Sequence, residues 1–298
     1  MTATTTDAAA PLLDARGLVV RYGGATPALD GVDVVVPRGL TGLLGPNGAG
    51  KSTLLRVLAT LQRPTAGTVR VAGVDALADP DAARTRIGYL PQEFGFPPTL
   101  TPLELLGHFA LLKGLAAPAA RRETVEALLH RVNLWAVRTR PVKALSGGMR
   151  QRLGVAVALV GAPPVLLVDE PTVALDPVER HRLHDLIVEL AETRAVLFST
   201  HLVADVEALC RDVLVLHRGR VVRAGAPDAL VAALAGRIWR ARVAHAEAAR
   251  WRADTRVIRD RLVGGDTELT VIADASPATG FVATAPTLDD VFAEAIAA

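Results

Sequence analysis

Residues 42–55, GLLGPNGAGKSTLL, constrain the fold of this chain more than any other stretch of its sequence. Within them, residues 45–52 fit the pattern G-x-x-x-x-G-K-[ST], in which a glycine-rich loop curls its backbone N–H groups around phosphate oxygens. The positive end of the helix that follows such a loop also favours an anion. An apolar run precedes the loop and a leucine-rich segment follows it, as the pattern requires. The sequence therefore predicts an α/β protein with a phosphate-binding loop.

The residues of this loop are expected to hold a nucleoside triphosphate through different groups. Lys51 supplies a mobile positive charge for the terminal phosphates, and Ser52 supplies a hydroxyl group to Mg²⁺. A plain turn between a strand and a helix is the alternative, but such a turn does not need the tripeptide Gly-Lys-Ser. The residues expected to contact the nucleotide here are Gly45, Pro46, Asn47, Gly48, Ala49, Gly50, Lys51, Ser52 and Thr53.

Two adjacent carboxylates, Asp169 and Glu170, follow the apolar run at 164–168. A buried strand there would deliver both to the edge of the sheet where α/β proteins bind their ligands. Asp169 suits the Mg²⁺ shell, directly or through water, and Glu170 is placed to polarise an attacking water beside the γ-phosphate. A strand that merely reaches solvent would explain one acid better than a pair.

Composition and charge exclude several other classes of protein. The length of 298 residues suggests two domains. Half of the residues in the chain are hydrophobic, which raises the question of a membrane span. Its longest candidate membrane span, residues 153–168, is interrupted by Pro163 and Pro164 and is shorter than the roughly 18 to 20 apolar residues that a span needs. No secretory signal is recognisable at the N-terminus, and a single cysteine, Cys210, is consistent with a reducing compartment. We therefore expect a cytoplasmic protein.

A nucleic-acid partner is not expected. The chain has 33 basic and 31 acidic residues, a formal net charge of +2, which argues against a basic stripe along the surface. Local arginine clusters at 121–122, 138–140 and 150–152 are typical of solvated helix faces.

The apolar pattern along the chain indicates an α/β core with an inserted helical region. Short β-rich runs at 17–22, 31–37 and 67–73 predict a small antiparallel sheet beside the nucleotide. Helical periodicity extends from about 101 to 160, where Thr101 and Glu104 fit a capping box. Further elements are predicted as buried parallel strands at 164–169 and 195–200, an amphipathic helix near 177–193, and two short strands before residue 225.

The last part of the chain differs from the core. Three alternating runs, IWRARVA, TRVIRD and ELTVIADA, predict half-buried strands, and Thr287 and Asp290 fit the start of a capped helix. The predicted organisation is a flexible N-terminus at 1–13, a nucleotide-binding domain at 14–236 with a helical insert at about 93–160, and an accessory α+β domain at 237–298.

Three further motifs carry a family resemblance. The segment LSGGMRQR, residues 145–152, lies between the phosphate loop and LLVDEPT, and it resembles the signature of ABC-type ATPases. YLPQE around Gln92 and FSTHL around His201 complete five elements in the order and spacing of that family. The resemblance covers about residues 18–225, and the rest less specifically. It implies a P-loop NTPase core of the ABC ATPase type, with an antiparallel β subdomain, a helical insert and a small C-terminal α+β appendage.

The resemblance also implies a dimer in which two nucleotide-binding domains face each other head to tail. Ser146, Gly147 and Gly148 would then bind the ATP held by the phosphate loop of the partner. Asp176 is retained in the segment that crosses the dimer interface, and the resemblance implies that it contacts the nucleotide there. Ala174 stands there where family members commonly carry glycine, and we expect activity to survive this small added methyl group.

Other site residues are carried over from the family at single positions. His201 would contact the γ-phosphate and hold the water or Glu170 in line. Gln92 would sense Mg²⁺ and the water while joining the core to the helical insert. Tyr22 matches the aromatic residue that stacks on adenine, although a lone tyrosine is usually part of a core.

The resemblance implies an ATP-hydrolysing subunit of an ABC transporter that is homodimeric and peripheral on the cytoplasmic face of the membrane. Its partner would be a separately encoded transmembrane permease, whose coupling helix docks on the insert. Phe94 and Phe96 either form that docking surface or fill a groove between insert and core. Residues 93–115 and the C-terminal segment PTLDDVFAEAIA resemble the branch that serves drug, polysaccharide, lipid or ion exporters.

Two alternatives remain at this point. A non-transport ABC ATPase would act on nucleic acid or ribosomes, but such relatives usually carry two cassettes, long coiled coils or zinc-bearing inserts, which this sequence lacks. Residues 237–298 are either a regulatory ligand-binding module or a packing element that supports the dimer.

Overall fold

The structure is a computed structural model that describes residues 11–24, 26–172 and 175–297. The strands are β1 (Leu13–Val20), β2 (Leu29–Val36), β3 (Gly39–Leu44), β4 (Ala66–Val71), β5 (Val74–Asp75), β6 (Ile87–Leu90), β7 (Val165–Asp169), β8 (Ala195–Thr200), β9 (Asp212–His217), β10 (Arg220–Gly225), β11 (Ile238–Ala244), β12 (Val257–Val263), β13 (Asp266–Ile272) and β14 (Val282–Ala283). The helices are α1 (Lys51–Leu58), α2 (Pro80–Thr85), α3 (Pro102–Leu112), α4 (Pro118–Arg131), α5 (Gly147–Ala158), α6 (Pro177–Ala191), α7 (Val203–Leu209), α8 (Pro227–Ala232), α9 (Ala248–Asp254) and α10 (Leu288–Ile296).

A six-stranded sheet in the order β10-β9-β3-β8-β7-β6 forms the centre of the molecule. Its pairs are parallel except for β10, which pairs with β9 in the antiparallel sense and closes one edge. Strands β7 and β8 are buried along their whole length, because helices cover one face and α1 with a second sheet covers the other. The prediction of two buried parallel strands from these continuous apolar runs is therefore confirmed.

The second sheet is the antiparallel β subdomain that the sequence predicts, with strand order β2-β1-β4-β5. Its inner residues share one apolar core with α1 and with one face of the central sheet. Leu13, which the sequence analysis assigned to the flexible N-terminus, is fully buried in this core at the start of β1. The ordered core thus begins earlier than predicted, and residues 1–10 lie outside the described part of the chain.

Helices α3, α4 and α5 form the helical region and pack on the opposite face of the central sheet. Helix α3 begins at the predicted capping box, where the Thr101 N–H donates to Glu104 Oε2 at 2.9 Å and the Glu104 N–H donates to Thr101 Oγ1 at 3.3 Å. Such a cap contributes about 1 kcal/mol to the stability of a helix. Among the helices that the described residues form, none combines the length and the apolar character that crossing a bilayer demands.

The C-terminal part of the chain contains a third sheet, in the order β12-β13-β11-β14, together with α9 and α10. Helix α10 starts at the predicted capping box of Thr287 and Asp290. Leu288, Val291 and Ala295 of α10 belong to the same apolar core as the helical region. The α+β composition follows the sequence pattern, and the boundary after residue 236 stays a prediction.

Candidate active site

The phosphate loop connects the end of β3 to the start of α1 at Lys51. Gly50 is the N-cap of α1 and has a φ of 107°, and a Cβ atom there would lie 2.7 Å from the Ala28 carbonyl oxygen. At Gly45 a Cβ atom would lie 2.5 Å from the Leu216 carbonyl oxygen. These two glycines are therefore required by the protein's own backbone, in addition to any ligand. Residues 50–53 offer no side-chain cap and no acidic residue to the N–H groups of the first turn, so those groups are left to an anion.

A cavity of about 360 Å³ lies above this loop. It brings together residues that are far apart in sequence, from the loop, from the end of β7 and from the segment after β6. The lining residues are Ala28, Asn47, Gly48, Ala49, Gly50, Lys51, Ser52, Thr53, Gln92 and Glu170. Most of the loop residues predicted to hold nucleotide thus line one cavity with two of the predicted catalytic residues.

Lys51 is almost fully buried and holds the loop and the candidate base together. Its Nζ donates to the carbonyl oxygens of Gly45 at 2.7 Å and Pro46 at 3.2 Å. The same atom lies 3.1 Å from Glu170 Oε1, and both side chains are at least 90 % buried. The phosphate lysine and the predicted general base therefore form one buried ion pair, which the sequence analysis did not anticipate.

Glu170 leaves β7 through an unusual backbone conformation. Its φ is 45°, in the left-handed region that costs a residue with a side chain roughly 1 to 2 kcal/mol. Its N–H donates to the Ser199 carbonyl oxygen of the neighbouring β8 at 3.1 Å. Its Oε2 lies 3.0 Å from Nδ1 of His201, whose side chain is 40 % exposed. The adjacency of β7 and β8 thus places Glu170, the predicted base, in contact with His201, the residue expected to contact the γ-phosphate.

Asp169 provides an oxygen suited to a divalent cation. Its Oδ1 is buried and has no hydrogen-bond partner within the described residues. Burial raises the pKa of Asp169 above its ordinary 3.8, while the Ser52 hydroxyl and the Lys51 charge oppose that rise. Oxygen donors from a carboxylate, a hydroxyl and an amide are the ligands that Mg²⁺ prefers. The chemistry of Asp169, Ser52 and Gln92 therefore fits the Mg²⁺ that the family resemblance implies.

The raised pKa of Asp169 leads to a pH-dependent prediction. Asp169→Asn is expected to raise the melting temperature of the nucleotide-free chain at neutral pH, because it removes a desolvated charge. A carboxyl whose pKa is higher in the folded state destabilises the fold above that pKa. The difference between variant and wild type should therefore shrink as the pH falls toward 3.8. Thermal unfolding at several pH values, with and without ATP and Mg²⁺, checks this.

Two observations serve as controls for this prediction. The variant should also lose the part of the ATP-dependent stabilisation that needs Mg²⁺, and the exposed Asp228→Asn should change neither quantity. A lower melting temperature for Asp169→Asn at neutral pH would contradict the assignment.

The signature residues stand at the N-terminus of α5. Ser146 caps this helix by accepting a hydrogen bond from the Met149 N–H at 3.2 Å. At Gly148 a Cβ atom would lie 2.4 Å from Glu179 Oε2, so the Glu179 carboxylate occupies the space of a side chain. Glu179 in turn lies 3.3 Å from the buried Arg152 of α5. This ion pair ties the start of α6 to the signature helix, and sequence reasoning missed it because a buried arginine in a helix resembles a solvated one.

The signature does not join the phosphate cavity of its own chain. Within the part of the chain that the structure describes, Ser146, Gly147 and Gly148 lie outside the lining of that cavity. Gly147 lines a neighbouring cavity of about 470 Å³ together with Gln92. Separation from its own loop is compatible with action on a partner's nucleotide, which stays a prediction.

Two further candidates have local roles in the structure. Tyr22 is 58 % exposed, and its hydroxyl donates to Gln62 Oε1 at 2.5 Å, in the segment that follows α1, and lies 3.5 Å from Thr53 Oγ1 in the first turn of that helix. Asp176 is the N-cap of α6 and accepts hydrogen bonds from the N–H groups of Val178 at 3.0 Å and Glu179 at 2.9 Å. Adenine stacking by Tyr22 and a nucleotide contact of Asp176 stay predictions, and Ala174 lies outside the described residues.

An apolar groove of about 500 Å³ lies between α3, α5 and the segment that follows Gln92. Phe94 and Phe96 line it with their ring centroids 5.1 Å apart, and both rings are half-buried. Phe94 packs tightly on α5, since a Cβ atom at Gly154 would lie 2.6 Å from its Cζ. Phe94 is therefore partly a core residue, whereas the groove that both rings line is open to a partner.

These features define an ATP-hydrolysing cassette of the ABC type: a phosphate loop paired with Glu170, a buried Asp169 beside it, His201 in contact with Glu170, and a separate signature helix. Residues 29–173 match the family model described as ABC transporter. The daunorubicin/doxorubicin resistance ATP-binding protein DrrA of Streptomyces peucetius is 37 % identical over 267 residues, which cover 89 % of this chain and 78 % of that protein. The chain belongs to the ABC transporter ATP-binding family.

Other relatives and solved structures agree with this assignment. The Nod factor export ATP-binding protein I of Ralstonia nicotianae is 41 % identical, covering 74 % of this chain and 69 % of that protein. The probable multidrug ABC transporter ATP-binding protein YbhF of Escherichia coli is 41 % identical over 74 % of this chain, which spans only 39 % of that protein. A dimeric post-hydrolysis state of the cassette MJ0796, bound to ADP and Pi, matches with a TM-score of 0.65 and 28 % identity, covering 72 % of this chain and 98 % of that one. Of these relatives, one is named for export, one for drug resistance and one as a multidrug transporter.

Proposed function

We propose that this chain is the ATP-hydrolysing subunit of an ABC exporter and works as a homodimer on a separately encoded transmembrane subunit at the cytoplasmic face of the membrane. The observation that carries this proposal is the continuity between two cavities. Gln92 lines the phosphate cavity, and Phe94, two residues later, lines the apolar groove. The names of the relatives, which refer to drug resistance and Nod factor export, support an exporter over a non-transport ATPase.

Hydrolysis follows from the groups that the cavity brings together. The N–H groups at the start of α1 and the Lys51 ammonium bind the β- and γ-phosphates, and a phosphate competes with Glu170 for Lys51. Glu170 then accepts a proton from the attacking water, and His201 holds the water and the γ-phosphate in line. Ser52, Gln92 and Asp169 would hold Mg²⁺, which neutralises charge on the phosphate oxygens when bound.

Dimerisation would complete the site. Ser146 and the N–H groups of Gly147 and Gly148 form a second anion-binding helix terminus, and the partner's ATP is its ligand. ATP then lies between two chains and favours the closed dimer. Hydrolysis of the ATP allows the dimer to open.

The apolar groove is proposed to receive a helix of the transmembrane subunit. An exposed apolar groove is typical of an interaction site, particularly where aromatic rings line the groove. A movement of Gln92 on ATP binding would reach the groove through two peptide units. This arrangement would couple the state of the nucleotide to the membrane subunit.

Phe96→Ser tests the docking function of the groove. We expect nearly unchanged basal ATPase activity and melting temperature in the purified chain, but weaker recovery in a complex with the membrane subunit and weaker stimulation by it. The exposed Leu262→Ser, on strand β12, is the matched control and should leave complex formation intact. If Phe96→Ser melts several degrees lower while its complex forms normally, Phe96 is core and the docking site must lie elsewhere.

We assign residues 237–298 to a packing role rather than to a ligand-binding module. Helix α10 shares the core of the helical region, and its Glu294 Oε2 accepts a hydrogen bond from Arg223 of β10 at 2.5 Å. Asp290 of α10 is fully buried and pairs with Arg240 at 3.1 Å and Arg259 at 2.9 Å. The contacts of α10 with the helical region and with Arg223 support an element that braces the cassette spanning residues 14–236. The two pairs of Asp290 hold α10 to strands β11 and β12 of the same C-terminal part.

A further inference from the structure

A buried carboxylate behind the candidate active site belongs to Asp205 on helix α7, which is 1 % exposed. Its Oδ1 accepts hydrogen bonds from the Arg180 guanidinium, with Nε at 3.1 Å, and lies 3.4 Å from Nε2 of His184. Its Oδ2 accepts hydrogen bonds from Thr172 Oγ1 and Thr200 Oγ1, each at 3.3 Å. One side chain therefore contacts four others from three different elements.

The two threonines flank the residues that perform the proposed hydrolysis. Thr172 is two residues after Glu170, and Thr200 immediately precedes His201. The threonines thus lie on the segments that leave β7 and β8, and a single carboxylate oxygen joins them. Arg180 lies on α6, the helix that Asp176 caps at the proposed dimer interface.

The charge of Asp205 has one clear counterpart. Burial lowers the pKa of His184 below 6.5, and the negative charge of Asp205 opposes this only in part. His184 is therefore largely neutral at neutral pH, and Arg180 is the cationic partner. A buried carboxylate without such partners would be strongly destabilising, so the charge of Asp205 depends on Arg180 and on its hydrogen-bond donors.

The backbone of Glu170 is strained, and hydrogen bonds on both sides of its Cα atom hold it in this conformation. Its N–H is fixed by the Ser199 carbonyl oxygen, and the hydrogen bond of Thr172 to Asp205 fixes the chain on the other side. The contact between Glu170 and His201 is 3.0 Å long, and displacement of either segment would open it.

We propose that Asp205 is a positioning residue for hydrolysis. Its carboxylate holds the exits of β7 and β8 at a fixed separation, so that Glu170 and His201 act on the same water and γ-phosphate. This inference rests on the proposed ATPase function. A purely structural ion pair with Arg180 is the competing explanation, and it predicts a loss of stability without a specific loss of turnover.

The test compares Asp205→Asn with Glu207→Gln, an exposed acid-to-amide change on the same helix. In the purified full chain, Asp205→Asn should lower kcat by about 10- to 100-fold, the scale expected when reacting groups are displaced by up to about 1 Å. Its KM for ATP and its affinity for a fluorescent ATP analogue should stay close to wild type. Glu207→Gln should change none of these quantities.

Non-additivity separates positioning from structural damage. In a His201→Ala background, Asp205→Asn should add little further loss of kcat, because both changes disable one unit. An equal loss of kcat in both backgrounds, or an unchanged kcat in Asp205→Asn, would overturn the proposal.

A second variant covers the case in which Asp205→Asn does not fold. Thr172→Val keeps the shape of the side chain and the Asp205–Arg180 pair but removes one hydrogen bond of the clamp. It should lower kcat without changing KM, again only when His201 is present, and an unchanged kcat would overturn the proposal. Absence of hydrolysis by the wild type would instead overturn the proposed function itself.

Discussion

Lys51→Ala is expected to abolish tight ATP binding. Its ammonium lies in the phosphate cavity, and hydrogen bonds to charged groups contribute about 1.5 to 3 kcal/mol, which corresponds to a loss of about 10- to 150-fold in affinity. The variant also leaves Glu170 buried without its cation, so the nucleotide-free chain should melt at a lower temperature. Titration with a fluorescent ATP analogue checks the first effect, and thermal unfolding checks the second.

The matched control is Lys113→Ala. This lysine donates to the Arg84 carbonyl oxygen at 2.7 Å and lies outside the lining of the phosphate cavity, as far as the structure describes the chain. The substitution Lys113→Ala removes the same charge as Lys51→Ala, and the affinity of this variant for the ATP analogue should stay at the wild-type value. Affinity of Lys51→Ala equal to wild type would refute the assignment of the loop.

Glu170→Gln is expected to reduce hydrolysis by about 10² to 10⁴-fold while ATP binding persists. The amide keeps the shape of the side chain and its contact with His201 but cannot accept the proton of the attacking water. Because ATP then stays bound, size-exclusion chromatography with ATP should show a stable dimer, and with ADP a monomer.

Glu192→Gln provides the comparison for this variant. Glu192 is exposed at the end of α6 and lies outside the lining of the phosphate cavity within the described residues, so its substitution should leave both turnover and elution volume unchanged. Hydrolysis by Glu170→Gln at the wild-type rate would remove Glu170 from the role of base.

The long buried strands and the helix caps were predictable because they depend on local pattern. Strands β7 and β8 are continuous apolar runs, and the capping boxes at Thr101 and Thr287 are complete within four residues. Strand β6 was missed, because the four residues Ile87–Leu90 are too few to show a period. What defines it is its pairing with β7, far along the chain.

The contacts inside the site were less predictable than its residues. Lys51 and Glu170 are found by motif, but their ion pair depends on the order β3-β8-β7 in the sheet, which no local pattern encodes. No sequence pattern marked Asp205 as a functional residue, for a similar reason. An acid on a short helix usually faces solvent, and only the packing of α6 against α7 and β8 shows that this one does not.

The close contacts behind the phosphate loop have a consequence for the thermodynamics of ligand capture. Because the carbonyl oxygens of Ala28 and Leu216 leave no room for a Cβ atom at Gly50 and Gly45, neighbouring backbone holds the loop in shape before any ligand binds. The loss of backbone entropy in this segment then occurs when the chain folds rather than when ATP arrives. Nucleotide exchange in the isolated subunit should therefore be limited by encounter and release, with little contribution from reorganisation of the cradle.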